Sequence, residues 1–120
     1  MLAAMEIVII INDAPYGTER TFHGLRLADA LLKVEDELDL TVYLTNDAVL
    51  AAKAGQKTPT GYYNIERMLK PIIRKGMVQA CRTCLEARGI APEELLEGVQ
   101  VATLGELAQV TLEADKVLVF

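Results

Sequence analysis

Five short runs of β-branched and other apolar residues punctuate this chain, and between them apolar residues recur at helical spacing; few architectures accept that alternation. The first run, EIVIII (6–11), is continuous rather than alternating, the pattern of a strand covered on both faces in a parallel sheet. LDLTVYL (38–44), MVQAC (77–81), VQVAT (99–103) and KVLVF (116–120) read as the second to fifth strands. From about Thr18 to Val34, Phe22, Leu25, Ala28 and Leu32, with Leu27 and Leu31 alongside, return every three or four residues. One face of a helix therefore packs inward, with Thr18 as its expected cap. Asn46 or Asp47 is expected to cap a short helix through Ala54, and Asn64 a helix to about Lys75 that Gly76 stops. Pro92 suits the first turn of a short helix, and Thr103 with Glu106 forms a T-x-x-E capping box for a helix to Leu112. Strands alternating with helices define βαβ units, and right-handed crossovers place helices on both sides of the sheet. The expected fold is α/β: a three-layer α/β/α with a mostly parallel five-stranded sheet, one domain over residues 1–120.

A chain of 120 residues buries about two-thirds of its unfolded surface and needs no disulfide staples. Its apolar share of 52% exceeds what one small core absorbs, which points to a homo-oligomer, because large apolar patches are rare on soluble monomers. The net charge of −5, with no basic run longer than a pair, lacks the footprint of a nucleic-acid binder. No apolar stretch reaches the ~20 residues of a membrane helix, since Glu6 interrupts MLAAMEIVIII and Asn12 and Asp13 end it. The start also lacks the basic segment of a signal peptide, so the cytoplasm is the expected location, where a close cysteine pair is more often catalytic or metal-binding than a structural bridge.

In open parallel sheets ligands bind beyond the carboxyl ends of the strands. Three loops leave such ends: NDAPYGT (12–18), TND (45–47) and the segment beginning at Cys81. Cys81 and Cys84, two residues apart in C-R-T-C, are the only cysteines. A cysteine between a strand's end and a helix's start faces unpaired backbone N–H groups that favour thiolate, and Arg82 and Arg88 add positive charge. Lowering a thiol from about 8.5 to ~6.5 raises its ionised fraction at pH 7 from about 3% to about 75%, for roughly 2.7 kcal/mol. The spacing alone leaves several readings open. A zinc half-site would need a second subunit to complete four sulfurs, since only His23 lies outside the pair. A thioredoxin-like dithiol has this spacing, but with Arg82 and Thr83 between the cysteines and no tryptophan before them. Either cysteine can pack as a small hydrophobe, Cys84 more readily than Cys81. The fourth reading is a nucleophilic thiolate that takes up and passes on sulfur.

The first loop is neither a P-loop nor a dinucleotide fingerprint. Gly17 and Thr18 open a helix N-terminus able to hold an anion, with Thr83 and Arg82 as further candidates, and Tyr16 is placed to cover a site from a loop apex. Asp47 reads as a helix cap rather than an acid or base, and His23 as a surface residue beside Arg26 and Lys33. Tyr62 and Tyr63 fit an oligomer contact or packing within their own loop.

APYGTE after the first strand, NDAV after the second, GQK and GYYNIERML in the long loop, CRTC with RGI after the third strand, TLGELA and the terminal ADKVLVF together resemble the DsrE/DsrF-like family, and its YchN-like branch most. The resemblance spans nearly the whole chain in one register. It implies a parallel α/β/α domain assembling as a trimer or hexamer, with sulfur donor and acceptor proteins as partners and no dissociable organic cofactor. Relatives such as TusD and DsrE carry one cysteine after the third strand that holds sulfur as a persulfide. Cys81 corresponds to it through its spacing to Arg88 and Gly89. Cys84 lies outside that single-cysteine pattern and matches the second cysteine of the YchN-like branch. The resemblance thus implies a sulfur-relay protein with Cys81 as nucleophile and persulfide holder, Cys84 as a resolving or assisting thiol, Arg82 steadying the thiolate, and Tyr16 and Thr18 edging the pocket. The alternatives are a dithiol redox protein and a non-enzymatic oligomeric binding module with inert thiols.

Overall fold

The computed structural model describes residues 4–120, so the first three residues of the apolar start weighed above lie outside the described residues. The five apolar runs form strands β1 (Glu6–Ile11), β2 (Asp39–Leu44), β3 (Met77–Cys81), β4 (Gln100–Ala102) and β5 (Lys116–Val119). They make one parallel sheet in the order β4-β3-β2-β1-β5. Between them lie helices α1 (Arg20–Val34), α2 (Ile65–Lys75), α3 (Arg82–Ala87) and α4 (Leu104–Glu113). From β1 to β4 the chain steps in one direction, so right-handed crossovers carry α1, α2 and α3 over one face; it then reverses through α4 to reach β5 on the far side of β1. That reversal sets α4 alone on the other face, against β1.

The two faces are unequal. Ile7, Ile9 and Ile11 of β1, Leu40, Val42 and Leu44 of β2, and Val78 and Ala80 of β3 alternate toward α1 and α2, where Leu25, Ala28, Leu32, Ile65, Leu69 and Ile72 close the core. The α4 face carries Thr41, Tyr43, Gln79 and Cys81, and α4 buries none of its own residues. Leu104, Leu112 and Val119 stay 65% or more exposed there.

Several local expectations are corrected. The segment after β2 is a 3-10 turn, Asn46–Ala52, with no side-chain cap; Thr45 precedes it, and Asp47 pairs with Arg88 instead of capping. Glu19, not Thr18, directly precedes α1, but Thr18 Oγ1 accepts the Arg20 N–H at 3.5 Å while donating to Asp13 Oδ2 at 2.7 Å. Gly76 ends α2 as expected, in extended backbone, and an added Cβ there would lie 3.0 Å from the Leu40 carbonyl oxygen. Asn64 does cap α2, accepting the Arg67 N–H at 3.1 Å, and Thr103 caps α4 by accepting the Glu106 N–H at 3.2 Å. No helix among the described residues is long and apolar enough to cross a membrane.

Candidate functional site

The carboxyl ends of β1, β2 and β3 meet at the two cysteines. Cys81 ends β3 on the thinly covered face and is 8% exposed; Cys84, three residues on in α3, is partly exposed, and both are free. Because α3 has only six residues, what its start offers the sulfur is one amide: Cys84 N–H donates to Cys81 Sγ at 3.4 Å. Thr83 Oγ1 lies 3.3 Å from the same sulfur. Tyr43 of β2 lies on the same face of the sheet as Cys81, and its hydroxyl donates toward the carbonyl oxygens of Ala102 and Thr103 at 3.4 Å and 3.3 Å. The register explains this reach, since Ala102 is the β4 neighbour of Cys81.

Burial pushes the Cys81 thiol up, but hydrogen bonds from the Cys84 thiol, the Thr83 hydroxyl, the Cys84 amide and the Tyr43 hydroxyl outweigh it and bring the thiol down from 9.0 to about 7. The same closeness, added to burial, drives the Tyr43 phenol well above its ordinary range, so it stays a protonated donor. A Tyr43→Phe variant is therefore expected to slow alkylation of Cys81 at pH 7 up to about sevenfold, one hydrogen bond to a charged acceptor being worth roughly 1.5 kcal/mol. Only thiolate reacts, so the rate rises with pH through the thiol's own value, and the midpoint near 7 should move upward. Rate against pH in a Cys84→Ser background measures it, and an unchanged profile would remove Tyr43 from the site.

Cys84 has its own surroundings. Asn46 N–H donates to Cys84 Sγ at 3.2 Å, and Thr45 Oγ1 lies 3.5 Å away. Among the described residues Asn46 is the one non-glycine with positive φ, at 52°. That left-handed backbone turns its N–H toward the sulfur, and asparagine tolerates it better than most residues. Its side chain is held in turn: Asn46 Nδ2 donates to Asn12 Oδ1 at 2.9 Å, and Asn12 donates through N and Nδ2 to the Phe120 carbonyl oxygen, each at 3.0 Å. Arg88 donates to Cys84 O at 3.0 Å and to Asp47 Oδ1 through Nε and Nη2 at 3.0 and 2.8 Å, clasping α3 to the turn after β2.

The residues expected at the site thus divide. Cys81, Cys84 and Thr83 are together. Arg82 is exposed and lines a surface groove with Leu85, Glu86, Ile90, Pro92 and Val101. Tyr16 holds the long loop: its hydroxyl accepts the Ile65 N–H at 3.1 Å, and its ring lies 5.4 Å from Tyr63 and 6.0 Å from Tyr62. Tyr62 and Tyr63 stack at 4.7 Å, with Phe22 4.5 Å from Tyr63, and Tyr62 stays 53% exposed. Gly17, at φ 114°, and Thr18 shape the turn into α1. The first loop contributes Asn12 to the cysteines, and the second Thr45 and Asn46. Sequence reasoning missed Asn12 and Tyr43; adjacency to a strand's carboxyl end was the signal for Asn12, and parity along β2 for Tyr43. Among the described residues no group of three or more His, Cys, Asp or Glu is placed to hold a metal ion.

Comparison with known proteins agrees with this architecture. The profile of the DsrE/DsrF-like family matches residues 5–120. Protein YchN of Escherichia coli K12 is 50% identical over 116 residues, covering 96% of this chain and 98% of that one. The Methanopyrus kandleri protein MK0008 is 38% identical over 115 residues, 95% of this chain and 93% of that one. The crystal structure of the E. coli ychN protein superposes with a TM-score of 0.92 over 97% of this chain and 99% of that chain.

Proposed function

The chain belongs to the DsrE/DsrF-like family, in its YchN-like branch, and from that premise we propose that it is a cytoplasmic sulfur-relay protein that carries sulfur as a persulfide on Cys81. The observation that carries this reading is the set of groups on one strand-end sulfur: the Cys84 amide at 3.4 Å and the Thr83 hydroxyl at 3.3 Å stand against Cys81 Sγ, whose thiol is brought down to about 7. In the relay step the Cys81 thiolate attacks the outer sulfur of a donor protein's persulfide. The donor's sulfur–sulfur bond breaks, its cysteine leaves as thiolate, and Cys81 gains one sulfur atom with no net oxidation. Passing the sulfur on repeats the exchange with an acceptor's thiolate. Thr83 stands on the solvent side of this sulfur, where a docking partner would approach.

The bare α4 and β5 face supports assembly into a homo-oligomer, because Leu104, Leu112 and Val119 would otherwise keep apolar surface in water; a trimer or hexamer is what the family resemblance implies.

Incubating the reduced Cys84→Ser chain, in which Cys81 is the one thiol left to hold sulfur, with a cysteine desulfurase and cysteine, then weighing it intact, tests the assignment. Uptake of one sulfur atom that disappears in Cys81→Ser is the expected result. A chain that never gains sulfur, or gains it equally without Cys81, would overturn it.

A further inference from the structure

The relay needs one cysteine, and this site holds two in contact, the second in surroundings of its own. We infer that Cys84 resolves the persulfide on Cys81, so that the pair discharges carried sulfur as hydrosulfide and closes as a Cys81–Cys84 disulfide: a persulfide-reducing activity, which rests on the sulfur-loading reading above. Three features carry this. Cys84 N–H donates to Cys81 Sγ at 3.4 Å, so the second cysteine is already folded against the atom its sulfur must attack. Cys81 is only 8% exposed, so attack on its inner sulfur, unlike transfer of the outer one, falls to a thiol of the same chain. The Asn46 N–H, aimed at Cys84 Sγ at 3.2 Å by a left-handed backbone that Asn12 locks, supplies a fixed donor to negative charge on that sulfur, and nothing in a one-cysteine relay uses it.

The step balances within the chain. Cys84 Sγ gives its electron pair to Cys81 Sγ, the bond from Cys81 Sγ to the carried sulfur breaks, and that sulfur leaves with the bond's electrons. It takes the proton that Cys84 gives up. The anionic persulfide and one thiol become a disulfide and HS⁻, so the carried sulfur is reduced and the two cysteines are oxidised. Thr83, exposed and 3.3 Å from Cys81 Sγ, stands beside the departing sulfur. A second turnover needs a dithiol reductant of the thioredoxin or dithiothreitol class to reopen the bridge.

The test compares the full chain with Cys84→Ser and Cys84→Ala variants, reduced, freed of reductant, and loaded anaerobically with desulfurase and cysteine. Wild type is expected to release one hydrosulfide per chain, lose both alkylatable thiols and stop until dithiothreitol is added. The variants should load and keep the added sulfur, releasing it about 100-fold more slowly or less. Wild type that retains its extra sulfur as long as the variants, with both thiols still free of a bridge, overturns the inference and leaves sulfur loading intact. Failure of wild type and both variants to load overturns the inference together with the reading beneath it.

Discussion

An Ile11→Ala variant should lose about 3 kcal/mol of stability, seen as a fall in Tm of roughly 10–15 °C. Ile11 is fully buried at the carboxyl end of β1, paired with Leu44, and its side chain fills the space left by Gly24 of α1. A Cβ at Gly24 would lie 3.0 Å from Ile11 Cδ1 and 3.3 Å from Phe120 Cγ, so the glycine is what lets helix and strand approach. Truncating Ile11 removes three carbons and leaves a cavity beneath the loop that carries Asn12. Adding Gly24→Ala should then recover about 1 kcal/mol, because alanine partly fills the hole and suits a helix better. Alone, Gly24→Ala should destabilise. Thermal melts of the three variants decide this, and additive losses would show that the two sites do not share the contact.

The second large effect lies on the opposite flank. Gly98→Ala is expected to cost about 2–5 kcal/mol, for two separable reasons. Gly98 has φ 95°, a region that side chains rarely enter, worth roughly 1–2 kcal/mol. Its Cβ would also fall 2.5 Å from Ile73 Cγ2 of α2, an atom on a stiff β-branched side chain that cannot swing away, so overpacking adds about 1–3 kcal/mol. In an Ile73→Ala background the steric part should vanish while the backbone part stays. Denaturant midpoints of the four chains give the split, and a penalty undiminished without the Ile73 branch would assign the whole cost to φ.

Most of the fold was legible because its signals are local. Continuous β-branched runs can be satisfied only by strands covered on both sides, and the stripe through Leu25, Ala28 and Leu32 faces one way only on a 3.6-residue helix. Asn64 and Thr103 cap as their spacing implies. The misreadings fall where a tertiary partner outbids a local one. Asp47 has the chemistry of a cap, but a guanidinium from α3 reaches it first. The length of the 3-10 turn after β2 was hidden, since a short apolar stretch such as AVLAA fits either helix type.

From its residue order alone, this chain is committed to a parallel sheet with crossover helices and to a C-R-T-C pair at the end of the third strand, since both follow from spacing along one backbone. What those sulfurs meet is decided by the order β4-β3-β2-β1-β5, which brings Asn12, Tyr43, Thr45 and Asn46, separated from the pair by some tens of residues, to one edge. Tyr43 lies under Cys81 only because parity along β2 and the register with β3 and β4 put it on that face, and the Asn46 amide meets Cys84 only through a backbone turned to φ 52°. Hydrogen bonds act over about 3 Å, so which sulfur gains which donor is a property of the packed sheet, invisible in the string of residues that encodes it.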